Sequence, residues 1–216
     1  MKTNNNFKKE LPIVIVVLLP VLFVVLTNSK FSNVTEINWI QPKQISIWTM
    51  LSIFFGVNFF IYGLLLFVQR IDPKKKNYET FKSSFYKIRF IISLFMTVIT
   101  GLFIASNIGI VIDELKILRI STFVLLAVIG NYVYSVKPNW FIGFRTPWTL
   151  DNETVWRKTH QFGAKIMVGF SIIGLIVSFI PQKEGIGLIV FFSIIMIMVI
   201  IPIIYSYRLH NRLTIK

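Results

Sequence analysis

Six apolar stretches, each long enough to cross a lipid bilayer, dominate the 216-residue chain and leave few folds open to it. A bilayer core takes about 20 apolar residues in a helix, with a range of roughly 17–25. The stretches run near 11–27, 45–68, 90–112, 117–136, 166–180 and 186–205. Backbone in hydrocarbon has no water to bond with, so each must be a helix. We expect an all-α polytopic membrane protein with about six transmembrane helices, organised as a single membrane domain over 1–216. Only 15% of the residues are charged, against about 25% in soluble domains, and the polar remainder is too short for a separate soluble domain.

Lys2, Lys8 and Lys9 precede the first stretch, as they would in a signal peptide. Its exit, Val25-Leu26-Thr27-Asn28-Ser29-Lys30, lacks the small-x-small pattern of a cleavage site. We therefore expect a retained helix. Orientation follows from where Lys and Arg fall. Lys2, Lys8 and Lys9 lie before the first helix, and Arg70, Lys74, Lys75, Lys76, Lys82, Lys87 and Arg89 between the second and third. Lys137, Arg145, Arg157, Lys158 and Lys165 lie between the fourth and fifth, and Arg208, Arg212 and Lys216 after the sixth. The alternate segments hold only Lys30, Lys43, Lys116, Arg119 and Lys183. This alternation places both termini and the 137–165 loop in the cytoplasm. It also accounts for the net charge of +14: the partner it calls for is the anionic inner leaflet. Direct nucleic-acid binding is not expected, because no folded basic domain remains to carry it.

Several chemistries drop out. There is no cysteine, and the two histidines are His160 and His210. No metal site or cofactor is expected. No paired intramembrane carboxylates and no nucleophile beside a base are found, so we expect no enzyme; His160 near Glu153 is the nearest approach to an acid–base pair. Asn58, Asn131, Thr97 and Thr100 are the polar residues at depth. They suit interhelical hydrogen bonds, or the polar path of a small transporter or export component, which is the alternative function. Gly101, Ala105 and Gly109 make a small-xxx-small face on the third helix, suited to close packing within the chain and leaving a homodimer open. Pro20 and Pro202 remove backbone donors inside the first and sixth helices.

The segment from Lys137 to His160 is dense in Trp, Gly, Pro, Arg and carboxylate, unlike a passive linker. Gly143 permits an unusual turn. Pro147 pushes Thr146 toward extended backbone. Asp151 suits an N-cap for a helix beginning near Asn152, with Glu153 favourably placed in its first turn. On that helix Trp156, His160 and Gly163 share one face. Two readings remain. In one, Trp140, Trp148 and Trp156 anchor the loop at headgroup depth, with Arg145 and Lys158 on lipid phosphates. In the other the loop is a binding surface, with Arg145 paired to Asp151, to Glu153 or to a partner.

The run Asn139-x3-Gly143-Phe144-Arg145-Thr146-Pro147-Trp148-Thr149-Leu150, followed by Glu153-x-Val155-Trp156 and Thr159-His160, resembles the signature of the SdpI family. These are bacterial membrane immunity proteins against the sporulation-delaying-protein toxin. The resemblance implies protection against a secreted peptide toxin, and a receptor role that draws a cytoplasmic transcriptional repressor to the membrane. It offers Asn139, Gly143, Arg145, Thr146, Pro147, Trp148, Thr149, Glu153, Trp156 and His160 as the toxin-binding, partner-binding or signalling residues, with no catalytic role. After the first helix, where many relatives carry a Leu-Pro-x-x-Ile-Pro type of segment, only Ile37, Asn38, Trp39 and Pro42 match. If that loop reads the ligand, the toxin here differs from the family's usual one.

Overall fold

The computed structural model describes residues 2–28, 31, 34–37, 43–181 and 183–214. Its elements are α1 (Lys2–Thr27), β1 (Val34–Ile37), β2 (Lys43–Ser46), α2 (Ile47–Ile71), a 3-10 turn (Lys75–Glu79), α3 (Lys82–Asn107), α4 (Glu114–Val133), α5 (Pro147–Asp151), α6 (Glu153–Phe179) and α7 (Glu184–Thr214). Six of the helices, α1, α2, α3, α4, α6 and α7, are long and apolar enough to cross a membrane. The chain is an all-α polytopic membrane protein. One small antiparallel hairpin interrupts it, with Val34 opposite Ser46 and Ile37 opposite Lys43. Of the residues noted above after the first helix, Asn38, Trp39 and Pro42 lie outside the described residues.

Several helices outrun their apolar stretches. α3 starts at Lys82, α6 at Glu153, and α7 continues to Thr214. Lipid thickness sets how long the apolar run must be, whereas a helix ends only where its backbone is capped. For α6 that cap is Asn152, whose Oδ1 accepts from Thr154 N at 2.9 Å and Val155 N at 3.1 Å. The expectation that Asp151 caps this helix is corrected: Asp151 is the last residue of α5, and the cap falls one position later.

The fold divides into two compact units. The first comprises 1–65 and 92–114. Val24, Ile47, Leu51 and Ile104 form its core, and Phe54 stacks on Phe103 with ring centroids 4.5 Å apart. Thr97 donates to the carbonyl of Val16 on α1 at 2.9 Å, an interhelical bond of the kind expected. Thr100 instead bonds back to Met96 in its own helix. Asn58 is buried, with neither amide atom hydrogen-bonded among the described residues. Gly109 does not continue a small-residue stripe along α3. It lies past the helix at φ +82°, where Ile110 N returns to Ala105 O in a Schellman cap that glycine adopts without strain.

The second unit comprises 66–91 and 115–216. Here small residues do bring helices together. A Cβ on Gly130 of α4 would lie 3.2 Å from Val168 Cγ2 on α6, and one on Gly174 of α6 would run into the Phe123 ring on α4. Phe123 forms a core with Ile194 and Met198 of α7. Asn131 lies two residues from the end of α4 and is exposed, not at depth. These contacts fix a register. Gly130 faces Met167 and Val168, and Phe123 faces Gly174, so Val133 at the end of α4 is level with about Ala164. At 1.5 Å per residue, α6 continues about 16 Å beyond α4 on that side.

Candidate functional site

The signature segment folds onto this protruding part of α6, and Asn139 starts it. Asn139 is fully buried. Its Oδ1 accepts from Phe141 N at 2.9 Å and Ile142 N at 2.7 Å. Its Nδ2 donates to Lys137 O at 2.9 Å and Ile142 O at 3.0 Å. A side-chain amide offers two donors and an acceptor in one plane; an aspartate here would leave two carbonyls without donors.

The chain then passes Gly143 at φ +110°, a conformation other residues resist. A glycine is also required sterically, because a Cβ at this position would collide with the His160 imidazole. Phe144 N donates to His160 Nε2 at 3.0 Å, and His160 Nδ1 lies 2.8 Å from the carbonyl of Trp156. A backbone N–H only donates and a carbonyl only accepts, so the proton sits on Nδ1 and the ring is neutral. Trp156 stacks on His160 at 4.0 Å, and its Nε1 donates to Val136 O at 2.8 Å. Phe144 meets the edge of His160 and covers Gly163, where a Cβ would lie 2.8 Å from Phe144 Cζ. The shared face of Trp156, His160 and Gly163 is thus the bed on which the loop rests.

Thr146 caps α5 through a capping box with Thr149, and Pro147 opens the helix. Thr149 Oγ1 also donates to Phe144 O at 2.9 Å. Trp148 Nε1 donates to Ser206 Oγ of α7 at 2.5 Å, and its ring packs against Tyr207 and His210. Arg145 is exposed and donates through Nη1 to the carbonyl of Trp140, not to Asp151 or Glu153. Glu153 is exposed in the first turn of α6. With both ring nitrogens engaged, His160 has no free base to offer Glu153 or a substrate.

The ten expected residues therefore separate into two kinds. Asn139, Thr146, Thr149, Trp156 and His160 are buried and shape the loop. Gly143, Arg145, Pro147 and Glu153 reach the surface, with Trp148 between.

Sequence reasoning missed the other half of the site, which comes from the segment between α2 and α3. Asp72, 2% exposed, accepts from Lys74 N at 2.7 Å, Trp140 N at 2.9 Å and the Tyr78 hydroxyl at 3.0 Å. Burial, with the Asp72 carboxylate beside it, raises the Tyr78 phenol well above its ordinary value, while the Arg145 charge acts in the opposite sense. Tyr78 thus stays protonated and donating. Asn77 Nδ2 donates to Pro138 O at 2.6 Å, and Lys74 Nζ to Leu150 O at 3.3 Å. Between the two loops lies a recess of about 210 Å³ lined by Lys74, Asn77, Pro138, Thr149, Leu150, Asp151 and Glu153. Asp72-Pro73 directly after an apolar run, with Tyr78 following, is the signal the sequence carries for it.

Fold and site together define a multi-pass cell-membrane protein with an ordered, interlocked pair of loops at one end of the second unit. The sequence model of the SdpI/YfhL protein family matches residues 135–206, from the end of α4 through most of α7. The signature residues that carry the resemblance lie inside that matched segment. The chain is also similar to the Immunity protein SdpI of Bacillus subtilis (strain 168), with 26% identity over 208 residues covering 95% of this chain and 98% of the relative. No solved structure matches the chain.

Proposed function

We propose that this protein is a membrane immunity protein that protects its cell against a secreted antimicrobial peptide. We propose further that the interlocked loops face the cytoplasm and form the surface through which a transcriptional repressor is held at the membrane. The observation that carries the first reading is similarity to an immunity protein along 95% of the chain, with the signature segment folded as one body. The alternation of basic loops supports the orientation, and the exposed Glu153 supplies a carboxylate for a partner. The transporter reading is weaker: Asn131 lies near a helix end, and Thr97 and Thr100 already have partners.

The test is expression in a sensitive bacterium challenged with a panel of membrane-active peptides from related bacteria. Survival should rise for at least one peptide. Absence of protection against every peptide, together with measurable solute uptake or efflux, sinks the reading in favour of transport. Reporter fusions at Asn77 and Asn152 should report the inside, and fusions at Asn33 and Lys183 the outside. An outward signal at Asn152 removes the repressor surface.

A further inference from the structure

The tip of the signature loop carries two aromatic side chains that the fold does not use. Trp140 and Phe141 are 46% and 40% exposed, yet their backbone is tied at three points. Asp72 holds Trp140 N, Asn139 holds Phe141 N, and Arg145 holds the Trp140 carbonyl. Exposed aromatics on slack backbone are unremarkable, but here two are held out on a fixed frame.

Their depth follows from the helix register. Val133 ends α4 level with about Ala164, so the apolar layer ends near there. Phe144 lies against Gly163 and Gly143 against His160, within about one turn of that boundary, or roughly 6 Å. The polar headgroup layer is about 5–7 Å thick on each side. Gly143 and Phe144 therefore lie at headgroup level, and the adjoining tip projects its rings beside that layer, where amphipathic aromatic rings are stabilised. Two cations accompany it. Lys137 and Arg145 are exposed, and neither is ion-paired among the described residues. The buried Asp72 carboxylate offsets one of these charges and leaves the tip positive. Arg145 spends one donor on Trp140 and keeps the rest of its planar fork for a phosphate oxygen.

We propose that Trp140, Phe141 and Arg145 form a binding site for the headgroup of an anionic phospholipid of the inner leaflet. The aromatic pair enters the interface, the Arg145 guanidinium takes the phosphate, and Lys137 supplies the second charge that favours an anionic over a zwitterionic lipid. Asp72 acts at one remove, by fixing where Trp140 points. The site goes beyond the immunity reading and requires no toxin.

The absence of cysteine makes the test clean. The full-length chain carrying Ile142→Cys, beside the tip and outside the named residues, is labelled with a fluorophore and placed in nanodiscs of phosphatidylcholine and phosphatidylglycerol. Quenching by headgroup-quencher phosphatidylglycerol is compared with quenching by headgroup-quencher phosphatidylcholine in the same discs. Phosphatidylglycerol should be enriched at the probe by about fivefold, the effect of one cation at an anionic surface. Arg145→Gln should bring the ratio near one, whereas Arg212→Gln, which removes the same charge elsewhere, should leave it unchanged. Equal quenching by the two lipids overturns the proposal, as does an equal loss in the two arginine variants. A probe unquenched by either lipid but quenched by aqueous iodide places the tip in water, free for a cytoplasmic protein, and also overturns it.

Discussion

Gly143→Ala probes the joint on which the signature loop turns. Gly143 has φ +110°, and forcing a side chain into such sparsely populated backbone costs roughly 1–3 kcal/mol. The added methyl would overlap His160 Nε2 and lie 2.9 Å from Cδ2. The imidazole cannot turn away, because Nδ1 is held by the Trp156 carbonyl and the ring is stacked on Trp156. Relief must come by lifting the loop, which breaks the bond from Phe144 N and leaves that donor unpaired at about 1–3 kcal/mol. The sum is roughly 2–6 kcal/mol. In a His160→Ala background the obstacle and the acceptor are already gone, so Gly143→Ala should cost only the backbone strain of roughly 1–3 kcal/mol. The assay is unfolding of the purified full-length variants in a denaturing-detergent titration followed by tryptophan fluorescence. Equal costs in the two backgrounds would show that the methyl never meets His160. A cost under about 1 kcal/mol in the wild-type background would also refute the strain argument.

Three further changes test the interlock. Asp72→Asn turns an amide donor toward Lys74 N or Trp140 N, and should cost about 1–3 kcal/mol and speed hydrogen exchange at the Trp140 amide; unchanged exchange would mean that Asp72 does not hold the loop. Trp148→Phe loses part of the ring as well as the bond to Ser206, so the bond's share, about 0.5–1.5 kcal/mol, should be the part of the cost that disappears when Ser206→Ala is already present. Arg145→Lys keeps the charge but not the planar fork that reaches the Trp140 carbonyl. Immunity should fall at normal membrane levels, read as survival under peptide challenge beside a membrane-fraction immunoblot, and full protection by the lysine variant would leave charge as the only requirement.

Much of the architecture was legible in the residues themselves. Lipid imposes one demand on backbone, and the six apolar runs meet it in only one way, so the helices could be read without any contact being known. The turn at Gly143, the extended Thr146 before Pro147, and the common face of Trp156, His160 and Gly163 were legible for the same reason: each follows from local backbone geometry. The end of a helix was less so. Asp151 and Asn152 both suit an N-cap; α5, opened by the capping box of Thr146 and Thr149, runs through Asp151 and leaves the role to Asn152. What only the tertiary structure decided is who meets whom across distance. Asp72 and Trp140 are 68 positions apart, and Trp148 and Ser206 are 58 apart; periodicity and composition carry no record of such pairings, because a hydrogen bond depends on where two backbones arrive and not on the residues between them. The same holds for burial. In sequence, Asn139, Arg145 and His160 are three polar residues of one loop; in the fold, Asn139 and His160 spend their hydrogen bonds inside, and Arg145 alone of the three keeps donors for what lies outside.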